Sequence, residues 1–417
     1  MNNKIKLDEH QQKALVNIVS GTNKISLLLG SAGRGKSSIV KYAVESLINK
    51  GINVEKIAFC TPTGKAALVL KGMLPQHYRP AQTIHSIFGC RGYEWEYDKD
   101  NLFDCEYLFL DEASMVGSEL MARVIYTVPE ECKIVLVADP EQLLPVSAGA
   151  PLVDMARAGG DHVSYLVTNY RQKNGELLAD VCENIVQGIY PKFTGDQYKK
   201  KNAFFHDHDD KEEIPEKILS IIKNWYDDEE DWMCLSPQRT GVCGLNNLNE
   251  FLQEELNPAQ EGDLQIKVYG FHIRIGDRVR QTKNDYKLGS QGVMNGSVGT
   301  VVSIMNKNSI IVDFDGEEVV YENREQINNL VLAYVCTIHS SQGSQYRKVC
   351  LVLHSSHSYM LSRSLAYVGV SRSREELHVI GDTKGLKRAI KNKEKNRRNT
   401  YLKLRIAGKI EAEGDVV

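Results

Sequence analysis

An apolar run, Ile25 to Leu29, breaks into Gly30-Ser31-Ala32-Gly33-Arg34-Gly35-Lys36-Ser37, and an amphipathic segment, 38 to 49, follows. Strand, glycine-rich turn and helix in that order belong to a parallel α/β sheet, which removes most other architectures at once. Glycines at 30, 33 and 35 let the backbone curl until successive N–H groups converge on one anion, and the helix N-terminus adds a favourable dipole. Lys36 supplies charge for β- and γ-phosphates and Ser37 a hydroxyl for Mg²⁺; Ser31, Ala32, Arg34 and Ser38 complete the loop. The stretch predicts a nucleoside triphosphate site.

A buried-strand pattern, Tyr107 to Leu110, ends in Asp111-Glu112-Ala113-Ser114, with Asp111 75 positions beyond Lys36. Carboxylates placed there stand at the carboxyl edge of a parallel sheet, where ligands of such sheets bind. Asp111 would hold Mg²⁺ through water, and Glu112 would orient and deprotonate an attacking water. Binding and hydrolysis of the triphosphate are therefore both expected.

A chain of 417 residues has room for two or three domains, and 42% hydrophobic with 25% charged residues excludes a disordered or fibrous protein. The net charge of −3 argues against wholesale coating of nucleic acid, but the charge is uneven. Asp207 to Glu216 and Asp227 to Asp231 are acidic, whereas Lys384 to Lys409 carries eleven Lys or Arg and one Glu. That basic tail reads either as phosphate contacts or an acidic-partner dock, or as a solvated terminal helix. Nine cysteines form no C-x-x-C pair and no zinc spacing, and read as reduced thiols of a cytoplasmic protein. His206 and His208 read as part of an acidic solvated loop and not as metal ligands. No run approaches the roughly 18 apolar residues a membrane span needs.

Along residues 1–165 strands alternate with helices: 25–29, 38–49, 56–60, 64–72, 107–110, 117–126 and 133–137. This is a doubly wound, mostly parallel α/β domain. Between 88 and 106 the period changes to two, with Tyr93, Trp95 and Tyr97 alternating with Glu94 and Glu96 before a turn at Asp98 to Asn101. A β-hairpin inserted in the first domain is expected. A second α/β unit spans 166–265 and 329–417, with helices at 176–187, 213–225 and 245–256 and strands at 232–236, 330–337, 349–354 and 377–381. Short strands and turn signals at Asn295-Gly296, Asn306 to Asn308 and Asp313 to Gly316 mark 266–328 as an inserted all-β barrel.

Further segments complete an ordered set: Gln11 and Ala14 before the glycine-rich loop, Thr61 to Ala67, Thr83-Ile84-His85, Asp139 to Leu143, Tyr170-Arg171-Gln172, Thr337 to Ser344, and Tyr367 to Arg372. Over residues 7 to 382 this resembles the superfamily 1 helicases, in the RecD-like and Dda-like branch called superfamily 1B. The resemblance implies two RecA-like parallel-sheet lobes, the hairpin as a pin in the first and an SH3-like barrel in the second. It implies that Gln11 reads the adenine edge, that Gln142 senses the γ-phosphate, and that Arg171 and Arg372 act as arginine fingers. Gln342 and Gly343 would couple that state to the nucleic acid. Pro62, Thr63, Lys65, Thr83, His85, Thr337, His339 and Ser341 would grip single-stranded DNA. Tyr93, Trp95 and Tyr97 would either meet the first base pair of a duplex junction by stacking or pack the hairpin onto its lobe. Three positions depart from the pattern: Arg34 stands where a small hydroxyl residue is usual, Ala138 where Gly is, and Ser340 where a Lys commonly follows the His. Arg374, two residues past Arg372, leaves the finger assignment open between them.

The activity so implied is an ATP- and Mg²⁺-dependent DNA helicase moving 5′ to 3′, the polarity coming from the branch alone. An RNA helicase, or a nucleic-acid-binding ATP switch without unwinding, remain the alternatives. The implied partners are single-stranded and junction DNA, with replication or recombination proteins such as a single-strand-binding protein. A monomer is expected, in the cytoplasm or in a host's if phage-encoded.

Overall fold

The computed structural model describes residues 7–75, 77–170, 175–228, 231–393, 398, 400 and 402–406. The chain forms two compact units, Met1–Lys173 with Lys395–Val417, and Asn174–Glu394. Residues 166–170, 398, 400 and 402–406, expected in the second unit, thus fall in the first.

The first unit has strands β1 (Ile25–Leu29), β2 (Ile57–Thr61), β3 (Gln82–Thr83), β4 (Cys90–Arg91), β5 (Glu94–Trp95), β6 (Tyr107–Leu110), β7 (Lys133–Ala138) and β8 (Val163–Tyr165). Six of them make a parallel sheet in the order β3-β2-β6-β7-β1-β8. A parallel sheet covered on both faces needs strands apolar throughout, and all five residues of β2 are buried. Successive side chains alternate between two cores. Leu27, Leu29, Leu108 and Leu110 pack on one face. On the other, Leu28, Phe59 and Phe109 meet Ala14 and Ile18 of α1 (Glu9–Ser20) and Ile39, Val44 and Leu47 of α2 (Lys36–Asn49). The rings of Phe59 and Phe109 stack at 5.4 Å, so Phe109→Ala would cost about 3–5 kcal/mol.

The inserted hairpin is shorter than the period-two pattern suggested. Cys90 pairs with Trp95 and Arg91 with Glu94, so the turn is Gly92-Tyr93 and not Asp98 to Asn101. Gly92 has φ +70°, the left-handed conformation that a tight two-residue turn favours. Asp98 closes a separate turn by accepting the N–H groups of Asp100 and Asn101 at 2.8 and 3.0 Å.

The second unit continues with β9 (Ala203–Asp207), β10 (Trp232–Ser236), β11 (Ile266–Val268), β12 (Phe271–Ile273), β13 (Arg278–Gln281), β14 (Val298–Asn306), β15 (Ser309–Phe314), β16 (Glu317–Tyr321), β17 (Leu330–Leu332), β18 (Val335–Thr337), β19 (Tyr346–Val352) and β20 (Ser373–Gly381). A parallel sheet runs β18-β10-β19-β20-β9, and an antiparallel one runs β16-β15-β14-β13-β17, with β11 and β12 paired separately. The expected single strand 330–337 is in fact two. Leu330–Leu332 closes the small β domain on β13, while Val335–Thr337 pairs with β10, so that domain extends to 332 and not 328. The crossing is held by buried polar groups: Tyr334 donates to the Asp277 carboxylate at 2.9 Å, and Asn249 bonds both the N–H and the carbonyl of Val335. His206, expected in a solvated loop, lies on β9, half-buried, its ring stacked on His378 at 5.1 Å. None of the nine cysteines is in a disulfide, and seven of them are buried. Among the described residues no helix is long and apolar enough to cross a membrane.

Candidate nucleotide site and nucleic-acid interface

The sheet order of the first unit sorts the candidate residues. The glycine-rich loop follows β1, Asp111-Glu112 follows β6 and Asp139 to Gln142 follows β7, so three adjacent strand ends carry the triphosphate residues. Gly33 and Gly35 adopt φ +79° and +83°, and Lys36 Nζ curls back onto the carbonyls of Gly30 and Ser31 at 2.5 and 3.2 Å. Arg34 turns outward and donates to the carbonyls of Leu166 and Val167 at 3.2 and 2.7 Å. A guanidinium is thereby accommodated where a small residue is usual, without entering the loop. Gln11 is buried above it; a Cβ on Gly35 would lie 2.9 Å from Gln11 Nε2. Its Oε1 accepts from Asp8 N–H, and Asp8 accepts in turn from Gln11 N–H and the Tyr170 hydroxyl. Asp8 and Tyr170, absent from the sequence assignment, thus hold Gln11; the Asp8-to-Gln11 capping box is a signal that could have revealed the first.

Asp111 and Glu112 stand as a strained, mutually repelling pair. Glu112 has φ +53°, a conformation that costs a side chain of this kind roughly 1 kcal/mol or more. Desolvation, and then the Glu112 charge, push the Asp111 carboxyl up to about 6 from its ordinary 3.8, against the pull of Lys36. Asp111 accepts the Glu112 N–H at 2.8 Å, and Asp139 accepts that of Glu141 at 3.0 Å. Gln142 is buried with its side-chain oxygen unpartnered, and so is the Ser114 hydroxyl. Oxygen donors with a carboxyl raised by burial and a like charge suit a hard divalent cation, which would compensate both; Ser37 and Asp111 fit Mg²⁺ in this sense.

On the other side of β6, strands β2 and β3 end together, Thr61 beside Thr83. Thr63 caps α3 (Gly64–Met73) through Ala66 N–H at 3.3 Å, and Thr83 caps the short helix Ile84–Ile87 through Ser86 N–H at 3.1 Å. Pro62, Thr63, Lys65, Thr83 and His85 are therefore neighbours along one edge. His85 is exposed, and its ring lies 5.3 Å from that of Trp95 in the hairpin, whose other neighbour is the Arg123 guanidinium at 4.4 Å. Partial desolvation holds the His85 pKa below the usual imidazole value. Tyr97 packs edge-on against Phe103 at 5.2 Å. Trp95 and Tyr97 are half-buried and pack against the core of the first unit, whereas Tyr93 projects fully exposed from the turn.

In the second unit the candidates are bound to one another. Thr337 and Ser340 exchange hydrogen bonds, with their hydroxyls 2.9 Å apart. Ser341, expected to touch DNA, is wholly buried and donates its hydroxyl to Ile338 O at 2.8 Å, while His339 is exposed. Arg372 is buried, and its guanidinium donates to the carbonyls of Val368, Ser344 and Ser341 and to the Ser371 hydroxyl. Arg374 forms an ion pair with Asp231 at 2.8 Å. Gln342 is buried with its Nε2 unpartnered beside Gly343, which has φ +74°. Arg171 lies outside the described residues.

Residues 6–209 match an AAA domain, residues 248–314 the SH3 domain of ATP-dependent RecD-like DNA helicases, and residues 332–380 the UvrD-like helicase C-terminal domain. The chain is a superfamily 1B, RecD-like helicase-family protein. It is 31% identical over 398 residues to the ATP-dependent RecD2 DNA helicase of Deinococcus radiodurans, covering 95% of this chain and 52% of that one. It is 23% identical to the RecBCD enzyme subunit RecD of Buchnera aphidicola subsp. Schizaphis graminum, covering 91% and 74%. The chain thus spans about half the length of the RecD2 relative. The fold is shared with Pif1 helicase from Bacteroides, solved in complex with ADP-AlF3 and ssDNA, at TM-score 0.58 and 21% identity over 92% of this chain and 94% of that one. The two parallel-sheet units are accordingly RecA-like lobes and the small β domain is SH3-like. In this RecD-like chain the described candidate nucleotide residues gather at three strand ends, while Ser341 and Arg372 are buried and hydrogen-bonded to neighbouring backbone carbonyls.

Proposed function

We propose that this chain is an ATP-dependent DNA helicase that translocates 5′ to 3′ on single strands and opens a duplex at its junction. The observation that carries the reading is the division of one sheet edge. Triphosphate residues follow β1, β6 and β7, and strand-gripping residues follow the adjoining β2 and β3. A single rigid sheet therefore carries both the chemistry and the grip. Lys36 would bind the phosphates, and Glu112 would take the proton of the attacking water. Gln142 would report on the γ-phosphate, and Arg171 would stabilise transition-state charge. Mg²⁺ bound by Ser37 and Asp111 would neutralise phosphate charge. Arg372 supports the Ser341-to-Ser344 turn that presents Gln342. Threonines and a histidine at strand ends contact backbone and base faces without selecting a sequence, as a motor on arbitrary DNA requires. Tyr93, exposed at the hairpin turn, would stack on the first base pair.

Strand displacement on 5′-tailed and 3′-tailed DNA duplexes, with and without ATP and Mg²⁺, tests the reading. ATP-dependent opening of the 5′-tailed substrate is expected. Opening of the 3′-tailed one alone would reverse the polarity, and greater ATPase stimulation by RNA than by DNA oligomers would replace the substrate.

A further inference from the structure

The basic C-terminal segment has partners that its composition does not announce. The Arg398 guanidinium donates to three backbone carbonyls, those of Pro145, Ser147 and Gly149, the last at 2.8 Å. The Thr400 hydroxyl donates to the buried carboxylate of Asp154, and the short helix Leu402–Ile406 packs on Pro151–Ala158. All of these groups lie in the first unit.

The segment they hold, 145–149, begins three residues past Gln142. It is also interlocked with the chain that leaves Glu112. A 3₁₀ turn, Ala113–Met115, leads to Gly117, and Ser118 N–H then donates to Ala148 O at 2.9 Å. Neither crossing residue has room for a side chain: a Cβ on Gly117 would fall 2.1 Å from Ser147 Oγ, and one on Gly149 1.8 Å from Ser118 Oγ. Gly149 moreover has φ +83°. The segments following Glu112 and Gln142 are therefore one interlocked piece, and Arg398 clasps it on three carbonyls. A planar guanidinium, with five donors in a fixed fork, can do this where an ammonium cannot.

We propose that Arg398 and Thr400 form an intramolecular latch on the 145–149 segment, making Arg398 a positioning residue for Glu112 and Gln142. Neutralising this part of the tail alters turnover, not DNA affinity. The inference rests on the ATP-driven reading for its catalytic consequence, but the latch itself does not depend on it.

The test uses the full chain as wild type, Arg398→Ala, Arg398→Lys and Thr400→Val. In Arg398→Ala, amide hydrogen exchange across 145–149 should accelerate about tenfold or more, as loss of charge-assisted hydrogen bonds implies. DNA-stimulated kcat for ATP should fall about tenfold, a cost typical of small misplacements, with the nucleotide KM and melting temperature unchanged. Arg398→Lys should restore only part of both, and Thr400→Val should shift exchange the same way with less effect; it also serves if Arg398→Ala fails to fold. Unchanged exchange in both Arg398→Ala and Thr400→Val overturns the latch. So does intact kcat with a salt slope of DNA binding reduced by about one, which would mark Arg398 as a phosphate contact. A wild-type protein without DNA-stimulated ATPase would sink the proposed function, and the exchange measurement would still decide the latch.

Discussion

The two parallel sheets carry their candidate residues in opposite states. At the carboxyl edge of the first, Glu112 is held at positive φ, the Asp111 carboxyl is raised by burial and then by its neighbour, and Gln142 keeps a buried oxygen without a partner. In the second, Thr337 at the end of β18, Ser340 and Ser341 after it, and Arg372 just before β20 satisfy one another and nearby carbonyls. Unrelieved charge and strain mark groups built to meet a ligand; a closed hydrogen-bond set marks groups built to hold a shape. Polar residues of similar type therefore do different work in the two sheets.

The widest separation should appear in turnover. Lys36→Ala and Glu112→Gln should each lower ATP hydrolysis about a hundredfold or more, with Glu112→Gln still binding the nucleotide and neither lowering the melting temperature appreciably. Steady-state ATPase beside nucleotide-binding titrations checks this. A Glu112→Gln protein that turned over at the parental rate would remove the first sheet from the comparison.

Arg372→Ala should do the reverse. Deleting the guanidinium strands the buried carbonyls of Ser341 and Ser344, a loss of about 3 kcal/mol of stability, and Arg372→Lys should recover little because one ammonium cannot reproduce the fork. Urea denaturation measures it. Full stability with lost turnover would instead return Arg372 to the role of finger.

How much of this was legible in the sequence follows from how local each signal is. The Gly30-to-Ser37 loop and Asp111-Glu112 were readable because strand, turn and helix are contiguous and each residue's task is set by its own backbone. The 330–337 stretch was not, since a continuous apolar run conceals a change of sheet that only Asp277 and Asn249, far away in sequence, make visible. β8 and β9 are a three-residue and a five-residue strand without strong periodicity, and went unread. Arg372 is a basic residue whose partners are carbonyls, and no pattern announces a carbonyl. The hairpin turn failed for another reason: alternation at Tyr93, Trp95 and Tyr97 looks like one strand, although Gly92 turns the chain beside the first of them.

A smaller effect should separate the two sheets by pH. Asp111 is raised to about 6 from 3.8, so between those values the folded chain holds a proton that the unfolded chain has released, and stability falls as pH rises through that window. Asp111→Asn removes the charge and keeps an oxygen for the Glu112 N–H. Above pH 7 it should stabilise the ligand-free protein by on the order of 2 kcal/mol while abolishing metal-dependent hydrolysis, and below about pH 4 the gain should vanish. Denaturation curves of the two proteins across that range decide the matter. A gain independent of pH would show that the ionised, buried Asp111 carboxylate is not its source.

The smallest effect repeats the contrast within the hairpin of the first unit. Trp95 lies between His85 and Arg123, and Tyr97 meets Phe103, so both rings hold the hairpin to its lobe. Tyr93 is fully exposed at the turn and touches nothing that folding requires. Trp95→Ala should therefore lose about 1–2 kcal/mol of stability and weaken DNA-stimulated ATPase and unwinding together, because His85 loses the ring behind it. Tyr93→Ala should change stability by less than about 0.5 kcal/mol, as a surface substitution does. Its ATPase on single strands should stay intact while the rate of opening a duplex falls severalfold, since only the junction needs a stacking ring. Parallel losses of ATPase and unwinding in Tyr93→Ala would place that ring on the single-strand track, and no loss in either would leave the exposed turn without a part in strand separation.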